Sequence, residues 1–129
     1  MSIAYWCILV AAALPYLWVA ISRFGIRGYD NRDPRGWSAA QTHPRTRRGH
    51  AAHLNAFEAF APFAAGVLAA QAAGVDPGRI ATLSLVFIAC RILHGTFYLA
   101  DLASLRSLSW MGGLGCVLAL LAQAALKAT

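Results

Sequence analysis

Charge is what this sequence has least of. Charged side chains make up 12% of its 129 residues, and only five of them are acidic. So little charge, spread so thinly, leaves no room for a water-exposed catalytic domain, and any chemistry has to be built from helix faces and short loops. Carboxylates are too few to bridge metals inside a helical bundle. Cysteine is sparse as well: Cys7, Cys90 and Cys116 lie in apolar surroundings with no redox or metal spacing, which marks them as small packing side chains. No lysine or arginine precedes the first apolar stretch; Arg23 and Arg27 follow it instead. That order resists export and cleavage, so the stretch reads as a retained first helix. There is no internal repeat and no low-complexity tract beyond an enrichment in alanine, as expected where helices pack closely in a membrane.

What is present is apolar. Hydrophobic residues make up 59% of the chain, and its mean hydropathy is +0.55. Four stretches are long enough to cross a bilayer as helices, over 3–21, 51–73, 80–100 and 108–126, and they are too long for strands. The expected fold is therefore an all-α membrane protein, a single domain of four transmembrane helices over 1–129. The loop at 23–48 carries seven arginines against Asp30 and Asp33, a net +5 of the total +6. The positive-inside rule puts it in the cytoplasm, with the 101–107 turn and Arg106 on the same side and both termini outside. Its glycines and prolines predict an irregular loop whose last part runs into the second helix without a break. Tyr5, Trp6, Tyr16 and Trp18 suit the two headgroup belts.

Two of these stretches carry polar groups at depth. At about 100° per residue, Arg48, Asn55, Glu58 and Pro62 share one stripe of the second long helix, and Arg91, His94, Tyr98 and Asp101 share one stripe of the third. Helix rise puts Arg91 roughly 15 Å from the end of its helix near Asp101, and Glu58 roughly 15 Å from the start of the preceding one at Arg48. Antiparallel neighbours would then set Glu58 against Arg91 as an ion pair and Asn55 against His94. A lone ionised side chain at the centre of a membrane helix costs about 2.5 to 3.5 kcal/mol, which pairing would largely offset. One account of this ladder is structural glue that fixes helix register.

Glue leaves groups over. Tyr98, Arg106 and Ser107 fall near the cytoplasmic level and, with the loop arginines, predict a cationic pocket for a small anionic, water-soluble ligand. Its walls face lipid, so a second, greasy substrate has a route in. A thiol suits such a pocket, because a nearby guanidinium raises the thiolate fraction. Arg106 is the candidate for that role, with Ser107 as hydrogen-bond donor to the sulfur; on spacing alone Arg106 also fits a topology anchor. His50 and His53 have metal-like spacing but no carboxylate to complete a site. Membrane orientation accounts for the basic loop without nucleic acid, and only Tyr29 and Trp37 offer stacking rings there.

The segments AHLNAFEAFAPF (52–63) and RILHGTFYLADLASLRS (91–107) resemble the MAPEG family, the membrane-associated proteins in eicosanoid and glutathione metabolism. The match covers nearly the whole chain and is similar to a small bacterial-type member. The resemblance implies a homotrimer of four-helix bundles in the lipid bilayer, with glutathione bound between subunits near the cytoplasmic face and a small lipophilic substrate. Carried over, Asn55, Glu58, His94, Tyr98 and Arg23 would bind glutathione, and Arg106 would stabilise its thiolate with Ser107 beside it. The chain departs from the better-known members at Ala51 and Leu54, where those carry arginines; Arg45, Arg47 or Arg48 are the nearby replacements. The expected function is a glutathione-dependent transferase or peroxidase. The alternatives are a non-catalytic bundle held by its buried polar groups or binding another amphiphile, and a small transporter, against which stands the lack of a polar path across the outer half.

Overall fold

The computed structural model describes residues 2–128, and every regular element in them is helical. Four long helices, α1 (Ser2–Arg23), α3 (Pro44–Ala72), α4 (Pro77–Leu99) and α5 (Ala103–Lys127), are joined by short turns and by one loop that holds a short helix, α2 (Pro34–Ala40). The loop is thus less irregular than its composition predicts. Asp33 starts α2 by accepting a hydrogen bond from the Gly36 amide at 2.9 Å, with Pro34 in the first helical position where its missing N–H is harmless. α3 begins at Pro44, so Arg45, Arg47 and Arg48 ride on helix rather than on loop. α5 begins at Ala103, so Arg106 and Ser107 sit in its first turns and not in the expected turn before 108.

Two helix ends explain the tight connections. Gly74 takes φ +73° after α3, and the Val75 amide donates to the Ala70 carbonyl at 2.9 Å. The Schellman geometry then hands over to Asp76, which caps α4 through the Arg79 amide at 2.9 Å. α4 ends the same way, with the Leu102 amide on the Phe97 carbonyl at 2.9 Å. Here the left-handed residue is Asp101, at φ 62°, where glycine is usual.

α3 and α4 pack on each other, and α1 and α5 each pack on both but not on one another. Successive long helices run antiparallel: Tyr5 at the start of α1 bonds Gln71 at the end of α3, and Phe63 stacks on Phe87 of α4 at 3.9 Å between ring centres. The larger core lies around that pair with Val67, Ile80, Val117 and Leu120. A smaller one gathers Leu14, Trp18, Ala52 and Ala56. Trp18, expected in a headgroup belt, is only 5% exposed, whereas Trp6 is 66% exposed. The reason is Gly95: a Cβ there would stand 2.1 Å from the Trp18 ring, so the missing side chain is the slot the indole fills.

α1, α4 and α5 are long and apolar enough to cross a membrane. Large apolar side chains such as Leu9, Leu17, Val86, Leu93 and Leu118 stand on the outside of the bundle, as a lipid-facing surface requires. α3 is long enough but less apolar, because Asn55, Glu58 and Gln71 interrupt its apolar run. It touches all three other long helices, as α4 does.

Candidate functional site

Arg91 is 4% exposed, and its Nη2 donates to Asn55 Oδ1 at 2.6 Å. Asn55 in turn donates from Nδ2 to Glu58 Oε2 at 3.4 Å. The expected direct Glu58–Arg91 ion pair is replaced by this relay, in which the amide stands between the two charged groups. Asn55, expected to meet His94, meets Arg91 instead, because the arginine reaches across from α4 and takes the amide oxygen first. His94 meets the same nitrogen, its Nδ1 3.5 Å from Arg91 Nη2. A guanidinium can only donate, so His94 Nδ1 must accept and its proton belongs on Nε2. The chain of contacts continues: the His94 and Tyr98 rings meet edge to face at 5.5 Å, and the Arg106 guanidinium lies 4.6 Å over the Tyr98 ring. Glu58, Asn55, Arg91, His94, Tyr98 and Arg106 therefore form one polar string across α3, α4 and α5.

The string opens on three clefts. Asn55, His94, Tyr98, Arg106 and Ser107 line one of about 380 Å³, closed by Trp110 and Met111. These five were all candidates from sequence. Trp110 and Met111 were not, although they follow Arg106 and Ser107 by one helical turn, and that i+4 spacing is the signal that finds them. Glu58 lines a smaller neighbouring cleft of about 180 Å³ with Arg91, Phe87 and Gly113, sharing Asn55 and Trp110 with the first. Glu58 is exposed on the side of the bundle, an awkward place for a carboxylate if only lipid lies beyond.

Tyr98 also borders a third cleft, about 450 Å³, with Thr42, Pro44, Arg47, Arg48 and Ala51. Arg48 is ion-paired there with Asp101, the residue held at positive φ, and Arg47 is exposed. Arg45 turns away and donates to the Phe24 carbonyl. Arg23 lies outside all three clefts: it donates to the Tyr29 hydroxyl at 2.7 Å, and its buried Nε has no partner among the described residues. Thr46 Oγ1 and His50 Nδ1, buried where α3 begins, are unpartnered too.

His50 and His53 stack at 5.9 Å, but His53 Nδ1 is committed to the Pro15 carbonyl at 2.7 Å, a bond it can make only as an N–H donor. Among the described residues no group of three or more His, Cys, Asp or Glu side chains is placed to hold a metal ion. Cys7 and Cys116 are buried and Cys90 is half-buried, all as free thiols.

No curated protein and no solved structure matches this chain. The MAPEG family model does, over residues 3–126.

Proposed function

The chain belongs to the MAPEG family and is an integral membrane protein, and from that premise we propose that it is a glutathione-dependent transferase or peroxidase acting on lipophilic electrophiles. The observation that carries this reading is the 380 Å³ cleft, in which Arg106 and Ser107 of α5 stand with Asn55, His94 and Tyr98. Arg106 stabilises the thiolate of glutathione, and Ser107 donates a hydrogen bond to the sulfur. Stacking on Tyr98 holds the guanidinium in one orientation, so the charge is in place before the thiol arrives. In conjugation the sulfur lone pair forms the C–S bond, the leaving group departs with its bonding pair, and the thiol proton passes to water. Trp110 and Met111 supply the apolar wall against which an electrophile dissolved in the bilayer would lie.

The carboxylates of glutathione need cations of their own besides Arg106. Arg47 and Arg48 border the adjoining cleft beyond Tyr98, one turn before Ala51, and take the acidic end there. On this reading α3 is the fourth transmembrane helix and the molecule is a homotrimer. A neighbouring copy then covers Glu58 and brings its own Arg23 toward the ligand. The basic loop faces the cytoplasm, where glutathione is supplied, and both termini lie outside.

Calorimetry of glutathione with the detergent-solubilised protein tests the proposal. Saturable binding that Arg106→Ala weakens at least tenfold is expected; no binding at millimolar ligand would overturn it. The relay from Arg91 through Asn55 to Glu58 joins α4 to α3 through protein groups alone and supports a second reading in which the bundle is non-catalytic. In that case Arg91→Leu disrupts assembly and Arg106→Ala changes nothing measurable.

A further inference from the structure

The end of the bundle remote from Arg106 carries a polar hollow of its own, where α3 ends, α4 begins and α5 ends. Asp76, Arg79, Gln123 and Lys127 line it with Val75 and Leu126, around about 560 Å³. A second hollow of the same volume, about 560 Å³, shares Asp76, Arg79 and Gln123 and adds Thr82 and Leu83. Two cations thus face one carboxylate and one amide across a space large enough for a small polar group.

Gln123 makes the hollow more than a charged rim. Its Oε1 is buried and has no hydrogen-bond partner among the described residues. A buried acceptor left unpaired costs about 1 to 3 kcal/mol, and what would satisfy it is an N–H or O–H donor. Arg79 and Lys127 line the same hollow without satisfying it, and their charges suit an anion. Asp76 uses Oδ1 to cap α4, which leaves its other oxygen as an acceptor. The matching ligand therefore carries an anion and, a few bonds away, a cationic N–H donor.

α4 and α5 are membrane-spanning in length and composition, so their ends lie at headgroup level. We propose that this hollow binds the headgroup of an ethanolamine phospholipid. Its phosphate lies between Arg79 and Lys127, its ammonium donates to Gln123 Oε1 and Asp76, and Leu83 receives the start of an acyl chain. A choline headgroup has no N–H to give, and a glycerol headgroup brings no cation to Asp76, so the site discriminates by chemistry and not by charge alone.

Native mass spectrometry of lipids retained by the protein, reconstituted in phosphatidylcholine doped with phosphatidylethanolamine or phosphatidylglycerol, tests this. Retention of the ethanolamine lipid about tenfold above the other two is expected, in line with one charged hydrogen bond. Gln123→Leu should bring it down to the choline level, whereas Lys127→Gln should weaken retention of all three lipids alike, because each carries the phosphate; Lys127 is exposed, so its variant does not depend on repacking the bundle. Equal retention of choline and ethanolamine lipids, glycerol lipid retained as well as ethanolamine, or displacement by free inorganic phosphate would each overturn the proposal. These outcomes are independent of glutathione binding at the other end.

Discussion

Arg91 is the residue on which the interior depends. It is buried, and its shortest contact is to a neutral amide, with the carboxylate of Glu58 one hydrogen bond further on. Removing that amide leaves a desolvated guanidinium without its acceptor. Asn55→Ala is therefore expected to destabilise the protein by about 2 kcal/mol, while Asn55→Asp, which keeps an acceptor for Arg91 but loses the donor to Glu58 and sets a second carboxylate beside it, should fall between wild type and the alanine variant. Thermal unfolding in detergent measures both. At Arg106 the question is geometry as well as charge. Arg106→Lys keeps the cation but loses the planar stack on Tyr98, so glutathione affinity should fall between wild type and Arg106→Ala; equal affinities for lysine and arginine would show that the stack contributes nothing.

The connections and crossings of helices impose demands of their own. The Trp18 ring occupies the place of a side chain at position 95, and any Cβ there would lie 2.1 Å from it. Gly95→Ala must push α1 away from α4 or drive the indole off its rotamer, at a cost of about 1 to 3 kcal/mol, visible as a lowered melting temperature. At the turn into α5, Asp101 serves two ends at once, taking the left-handed conformation that closes α4 and pairing with Arg48 of α3. The pair is exposed, with side chains 33% and 68% accessible, so its net contribution is at most about 1 kcal/mol. Asp101→Asn keeps tolerance of positive φ and removes only the charge. It should therefore leave stability nearly unchanged while freeing Arg48, and calorimetry should record glutathione binding at least as tight as wild type.

At the level of the whole molecule, Glu58 is a carboxylate exposed on the side of a membrane bundle, where a single protomer leaves it facing lipid. A homotrimer would cover it. Native mass spectrometry in mild detergent is expected to give three copies, and a monomer at all concentrations would remove the between-subunit site. Much of this architecture is legible in the sequence. Three of the expected apolar stretches coincide with helices long and apolar enough to cross a membrane, α1, α4 and α5, and the helical spacing of Asn55 with Glu58, and of Arg91 with His94 and Tyr98, sets polar groups on single helix faces.

Composition and periodicity alone determined that the chain is helical, membrane-bound and polar along two facing stripes, because the thickness of the bilayer and the pitch of the helix act on every residue locally. Which groups touch was decided only by packing. An arginine has reach enough to choose among several acceptors, and it took Asn55 rather than Glu58. Trp18 left the membrane interface for a slot that exists only because α1 crosses α4 at a glycine. The hollow around Gln123 joins the turn between α3 and α4 to the end of α5, far along the chain. Such contacts depend on side-chain length, rotamer and close approach between distant segments, which no single helix's pattern contains.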